Sequence, residues 1–180
     1  YVPEELRHLE STLGGVKLLD AQFVLPNLDR AVREQHYGIV HLASHGHFSS
    51  DARKSFLLTY DSRLTLDQLE ALIRPSQFRG QPVEMLVLSA CETAAGDARA
   101  ALGLAGVAVK AGARSAVASL WSVNDRASAM LVRAFYLQLQ QDPTVSKAEA
   151  LRRAQVTLLA DPRYRHAAYW SPYLVIGNWL

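Results

Sequence analysis

The residues most suited to chemistry in this sequence are one cysteine and one histidine, each directly following a mostly apolar run. Cys91 is the only cysteine among 180 residues, and it follows residues 85–90. His45 follows residues 38–44 and precedes Gly46. A thiolate can attack a carbonyl carbon while a nearby imidazole activates the thiol or protonates the leaving amine. Cys91 and His45 are therefore the candidate nucleophile and the candidate acid–base group.

Strands must bring these two residues to one edge of a sheet. Both apolar runs are predicted to be short strands buried on both faces, as in a parallel sheet. Ligands of open α/β sheets bind at the carboxyl ends of the strands, so Cys91 and His45 would face each other there if their strands are neighbours. A structural alternative stays open, because free cysteine is among the most frequently buried residue types. In that alternative, Cys91 fills the core beside a core histidine.

Strand and helix patterns alternate along the rest of the chain, which predicts a parallel sheet in a three-layer α/β/α sandwich. Two helices are predicted to begin with capping boxes, in which Thr65 or Ser146 precedes a Gln or Glu by three positions. Asn27 is predicted to cap another helix, and residues 16–19 to form a strand. Residues 100–111 are small and apolar almost all round, which predicts a buried helix.

The sequence around both candidate residues resembles a known family. The motifs are VHLASHG at 40–46, LSACET at 88–93, AGARSAVASLW at 111–121, SKAEALRRAQ at 146–155, YWSPY at 169–173 and IG at 176–177. In this order they resemble the CHAT domain, a caspase-like domain usually attached to tetratricopeptide repeats. His45 precedes Cys91 by 46 residues, and the catalytic histidine of caspases precedes the cysteine by about 50.

The resemblance covers nearly the whole chain, and its departures are small. Ser44 stands where the family usually has Thr, and Ala94 and Ala95 stand where it more often has Gly-Leu. Neither change removes a group that takes part in catalysis.

This resemblance implies a caspase-like sandwich with a mainly parallel central sheet and a catalytic dyad of His45 and Cys91. It also implies that the N–H groups of Gly46 and Cys91 donate to the oxyanion, and a glycine allows close approach of the backbone. The implied function is a cysteine endopeptidase of the caspase and separase type. Its substrate would be a specific protein or peptide, and attached repeats or a partner would gate it. The alternative is a caspase-like scaffold or protein-interaction module without turnover.

Three further residues are candidates for substrate binding. Related proteases with basic specificity place a carboxylate in the pocket for the residue before the cut, and Asp125 follows the strand that ends near Trp121. Asn124 and Asp125 fit an ordinary helix start equally well, and we favour that interpretation. Glu92 is either a substrate contact or a residue that orients the loop after Cys91. Trp121 is either a wall of the substrate cleft or an apolar plug.

A metal site is the competing interpretation of the histidines. His36, His41, His45 and His47 lie close together in sequence, and Asp51 follows them. Downstream, however, only an isolated histidine appears, without a second carboxylate–histidine pair. Strand alternation also predicts a buried position for His41. The sequence therefore predicts no metal and no cofactor.

Bulk properties restrict the class of protein. A net charge of +2 is too small to indicate nucleic acid or an anionic membrane as the main partner. One cysteine excludes an internal disulfide framework and favours a reducing, cytoplasmic compartment. No apolar run is long enough to span a membrane. We expect a single domain over residues 1–180, and a fragment, because the chain begins with Tyr1 and lacks the additional first strand and the repeats expected upstream.

Overall fold

The computed structural model of the chain describes residues 6, 7, 9, 10, 13–47, 52–78, 80–90, 106, 109, 111–119 and 124–180. Its contacts divide the chain into two compact units. The sheet unit comprises Leu18–Ser122 and Ile176–Asn178, and the helical unit comprises Tyr1–Lys17, Val123–Val175 and Trp179–Leu180. The fold is mixed α/β, with a central, mostly parallel sheet flanked by helices, which confirms the predicted class.

Seven strands and four α-helices have complete bounds in the described part of the chain. The strands are β1 (Ile39–Ser44), β2 (Gly46–His47), β3 (Phe56–Leu58), β4 (Arg63–Thr65), β5 (Met85–Ala90), β6 (Ser115–Ser119) and β7 (Tyr173–Gly177). The helices are α1 (Leu25–Glu34), α2 (Leu66–Phe78), α3 (Asp125–Gln141) and α4 (Lys147–Ala160). Short 3₁₀ turns occupy Asp20–Gln22, Ala52–Lys54 and Ala167–Tyr169.

The central sheet has the strand order β1-β5-β6-β7. Strand β5 pairs in parallel with β1 on one side, where Ser44 lies opposite Ala90, and with β6 on the other, where Met85 lies opposite Ser115. All of β6 and the first five residues of β5 are buried. Small and aliphatic side chains suit a strand that is covered on both faces. The predicted buried strand before Cys91 is therefore confirmed.

A second, antiparallel sheet has the order β2-β3-β4. It begins at Gly46, and one residue separates it from the end of β1. Strands β3 and β4 form a hairpin whose turn is closed by the Thr59 N–H, which donates to the Ser62 carbonyl at 3.0 Å. The hydroxyl groups of Thr59 and Ser62 share a further hydrogen bond of 2.8 Å. Only His45 separates the two sheets along the chain, so its backbone joins them.

The helices of the sheet unit supply one side of its apolar core. Leu28 and Val32 of α1 belong to the same buried cluster as Leu69 and Ile73 of α2. Helix α2 begins with the predicted capping box. The Thr65 N–H donates to Gln68 Oε1 at 2.8 Å, and the Gln68 N–H donates to Thr65 Oγ1 at 3.3 Å. This reciprocal pair satisfies two N–H groups that a helix start leaves open.

The helical unit is built on the packing of α3 against α4. Its buried apolar side chains include Leu131 and Phe135 of α3 and Leu158 of α4. The cap at Ser146 is confirmed, since its hydroxyl accepts the Glu149 N–H at 3.2 Å. In the described part of the chain, no helix combines the length and the apolar character that a bilayer crossing requires.

The strand predicted for residues 16–19 is wrong. These residues lie in irregular chain, and Val16 is 56% exposed. A short apolar run cannot by itself specify a strand, because the ladder also needs a partner.

The buried helix predicted for residues 100–111 falls mostly outside the described residues. Gly106 and Val109 are helical but exposed, whereas Ala111 lies in a turn and is buried. Small size and apolar character therefore did not bury the helix at Gly106 and Val109.

The cap predicted at Asn27 is also wrong. Helix α1 begins three residues earlier than predicted, with Val24 in the cap position and Pro26 in the first turn. Proline is pre-organised for the first turn, where its missing N–H costs no hydrogen bond, so it fixes the helix start. The side chain of Asn27 instead donates to the Gln22 carbonyl at 3.0 Å.

Candidate active site

His45 lies at the carboxyl end of β1 and is exposed to solvent. Its carbonyl accepts the Leu58 N–H at 2.8 Å. The hydroxyl of the preceding residue, Ser44, donates to the Leu58 carbonyl at 2.6 Å. The backbone around the candidate acid–base residue is thus tied to β3, while the residue itself remains accessible.

Strand β5 ends beside β1 and runs in the same direction. Ser44 is paired with Ala90, and these are the residues directly before His45 and Cys91. The condition that the sequence left open, that the two strands are neighbours, is therefore met. Cys91 and Glu92 themselves lie outside the described residues, and so does Trp121.

Gly46, the candidate oxyanion donor, is buried at the start of β2. It pairs with Leu57, and the hydrogen bond from the Leu58 N–H to the His45 carbonyl lies one position along the ladder. In an antiparallel ladder, pairs that exchange hydrogen bonds alternate with pairs that do not. The Gly46–Leu57 pair is of the second kind. The Gly46 N–H therefore points away from β3, toward the outer edge of the described antiparallel sheet.

Asp125 is the first residue of α3 and is exposed. Asn124 caps this helix, because its Oδ1 accepts the Ala127 N–H at 3.1 Å. A carboxylate in a first helical turn lies near the positive end of the helix dipole. This placement in the helical unit fits the favoured interpretation of Asp125 as part of a helix start, and its role in specificity stays a prediction.

The histidine-rich segment does not form a metal centre in the part of the chain that the structure describes, where no three His, Cys, Asp or Glu residues could hold an ion. His47 instead contacts Phe56, with 5.8 Å between ring centroids, and the Arg63 guanidinium lies 4.3 Å from the Phe56 centroid. His41 is half-buried, less than strand alternation predicts, because β1 is the outermost strand of its sheet.

From the sequence, Ser44 was recognised only as a departure from the family motif and not as a residue that contributes to the site. Its hydroxyl reaches a carbonyl 14 positions away. The only local signal was a hydroxyl-bearing residue next to the candidate histidine. The contact also depends on the hairpin that returns β3 to the end of β1, and no residue spacing specifies that arrangement.

These features define an α/β protein in which the residue before a histidine and the residue before a cysteine end two neighbouring parallel strands. The sequence matches the CHAT domain family model over residues 1–178, so the chain belongs to the CHAT domain family. That family is caspase-like, and its domains are often associated with tetratricopeptide repeats. None of the curated proteins matches the chain.

Proposed function

We propose that this chain is a cysteine-type endopeptidase domain of the caspase and separase type, with His45 and Cys91 as its catalytic dyad. The observation that carries the proposal is the parallel pairing of Ser44 with Ala90. Neighbouring strands lie about 4.8 Å apart, and consecutive Cα atoms about 3.8 Å apart. His45 and Cys91 each directly follow a paired residue, which supports the proposal that both lie at the same edge of the sheet, as a dyad requires.

Two features of the described site support peptide-bond chemistry there. His45 is exposed, so a substrate can approach its imidazole. The Gly46 N–H is directed away from β3, and a donor that is not used by the ladder is available for an oxyanion. A backbone donor held in a strand is also pre-organised, because it does not have to reorient during the reaction.

In the proposed reaction, the Cys91 thiolate attacks the scissile carbonyl carbon, and the Gly46 and Cys91 N–H groups stabilise the oxyanion. The protonated His45 imidazole donates its proton to the leaving nitrogen as the C–N bond breaks. Water then attacks the thioester while His45 accepts a proton from it, and breaking of the C–S bond releases the acid product and restores the thiolate and the protonated imidazole. The chemistry needs no metal or cofactor.

The substrate is a protein or peptide segment that reaches this edge, and Asp125, Glu92 and Trp121 are the candidate contacts for its side chains. A specific protein partner is the expected substrate, with attached repeats or a partner controlling access. A reducing compartment such as the cytoplasm keeps the thiol of Cys91 available. The competing function is a caspase-like scaffold that binds partners without turnover.

Alkylation of Cys91 by iodoacetamide tests the dyad, because the chain has no other cysteine. An ordinary thiol has a pKa of about 8.5. At a pH below this value, we expect Cys91 of the wild-type chain to react faster than an ordinary thiol, since a neighbouring imidazolium stabilises the thiolate. His45→Ala should slow the reaction. His36→Ala is the matched control, because it removes another exposed histidine, located before β1 rather than after it.

Two results would contradict the dyad. One is a wild-type rate no higher than that of an ordinary or buried thiol. The other is an equal rate in wild type and His45→Ala. Either result would favour the scaffold function.

A further inference from the structure

We propose that Ser44 is a positioning residue, which fixes the backbone of His45 through Leu58 and so sets where the imidazole lies. This inference rests on the proposed function, because it assigns Ser44 a role in the His45–Cys91 dyad. It concerns a residue that does not itself touch the substrate.

Two successive residues bond to the backbone of Leu58. The His45 carbonyl accepts the Leu58 N–H at 2.8 Å, and the Ser44 hydroxyl donates to the Leu58 carbonyl at 2.6 Å. Both distances are within the normal range for such bonds. The N–H and the carbonyl of one residue thus bind a group on each side of the His45 backbone, the Ser44 side chain before it and the His45 carbonyl after it. A change of backbone direction at His45 that moves either group away from Leu58 would break at least one of the two bonds.

Leu58 is itself a fixed point. Strand β3 pairs with β4 up to this residue, with Leu58 opposite Arg63. The next residue, Thr59, is buried and closes the hairpin turn through Ser62. The Tyr60 N–H then donates to a carbonyl outside the hairpin, that of Phe23, at 2.9 Å. Two bonds to such an anchor restrict the His45 backbone much more than bonds to a loop would.

The position of His45 explains why it needs this restraint. His45 lies between β1 and β2 and belongs to neither strand. The following residue, Gly46, has no side chain to limit the backbone on that side. A small change in backbone direction displaces the end of a side chain, and a misplacement of about 1 Å can cost roughly 100-fold in rate. The hydrogen bond from the Ser44 hydroxyl restrains the backbone next to His45, in addition to the backbone hydrogen bonds of the two sheets.

The test compares the variants Ser44→Val and Ser44→Thr. Valine and threonine side chains have nearly the same shape, but only threonine carries a hydroxyl group. Both are good strand residues, so both variants keep the propensity of β1. Ser44→Ala gives a third measurement without added bulk. The rate of Cys91 alkylation is measured as a function of pH, together with the melting temperature of each variant.

In Ser44→Val and Ser44→Ala, we expect the alkylation rate to fall most of the way from the wild-type rate to that of His45→Ala. The pH at the midpoint of the rate profile should move toward about 8.5, the pKa of an ordinary thiol. Ser44→Thr should retain the wild-type profile. Ser115→Ala is the matched control: its hydroxyl also donates to a backbone carbonyl at 2.6 Å, that of Glu84, but at the opposite end of the sheet. This control should lower the melting temperature and leave the pH profile unchanged.

The outcomes separate the two proposals. A wild-type rate that does not depend on His45 overturns the proposed function and the role of Ser44 together. A His45-dependent rate that survives in Ser44→Val overturns the positioning role alone. A shift of the same size in Ser115→Ala would also overturn it, because the effect would then reflect general loosening of the sheet.

Discussion

The central strands of the sheet unit and the ends and outer faces of helices α3 and α4 are stabilised in different ways. Strand β6 is buried at every position, and so are the first five residues of β5. Helices α3 and α4 begin with polar caps, and α4 carries partly exposed ion pairs. Burial of apolar side chains is worth more per residue than exposed caps or ion pairs. We therefore expect substitutions at buried positions of these strands to affect stability more than substitutions of the helix caps, the ion pairs or exposed helix residues.

The central strand offers the strongest test of this difference. Leu86 of β5 is 0% exposed, and its backbone is paired with Val40 on one side and Ala116 on the other. Leu86→Ala should lower the free energy of unfolding by about 2–5 kcal/mol, because it removes buried methyl groups and leaves a cavity. Chemical denaturation measures this change.

Leu159→Ala is the control for the same substitution on α4, where Leu159 is 40% exposed. It should alter stability by no more than about 0.5 kcal/mol. Equal costs at the two positions would refute the view that burial determines what the substitution costs.

How far the sequence predicts the molecule depends on the range of the interaction concerned. The apolar runs before His45 and Cys91 predicted two strands correctly, and the strand before Cys91 is buried as predicted. The strand before His45 is not, because only Leu42 of β1 is fully buried. The reciprocal cap of Thr65 and Gln68 was predicted as well, since its partners are three residues apart. These features are local, and local physical chemistry is sufficient to specify them.

The features that sequence reasoning missed depend on distant or competing partners. The bond from Ser44 to Leu58 requires a hairpin that no local pattern relates to β1. Asn27 has a good capping side chain, but Pro26 set the helix start earlier. At the candidate site, the sequence could not establish that the strands before His45 and Cys91 are neighbours, because the order of the strands is a property of the whole sheet.

The start of α3 gives an effect of intermediate size and decides the role of Asp125. Asp125→Asn removes a charge from the first helical turn and should lower stability by less than about 1 kcal/mol. Cleavage preference and Cys91 alkylation should stay unchanged. Asn124→Ala, which removes the cap on Ala127, should cost about 1 kcal/mol and serves as the comparison. A selective loss of cleavage after Lys or Arg in Asp125→Asn would instead establish it as a specificity residue.

The ion pairs of α4 give the smallest expected effect, which depends on pH. Hydrogen bonds from Arg152 and Arg153 lower the pKa of Glu149 from 4.5 to about 2. A carboxyl whose pKa is lower in the folded state stabilises the fold above its unfolded pKa, and this contribution is lost as the pH falls through the folded value. Glu149→Gln should therefore flatten the decline in stability between pH 4.5 and about 2. Because the Glu149 side chain is partly exposed, 1 M salt should reduce the difference.

Asp161, at the other end of α4, is the matched comparison, since hydrogen bonds from Arg163 lower its pKa to about 2 as well. Asp161→Asn should flatten the decline in stability between pH 3.8 and about 2. The two substitutions should differ near neutral pH, because a carboxylate is favoured by the helix dipole in the first turn and disfavoured after the last. Glu149→Gln should then cost more stability than Asp161→Asn, as measured by melting temperature at pH 7 in low salt. The reverse order would mean that the local arginine contacts, rather than the ends of the helix, determine what these charges contribute.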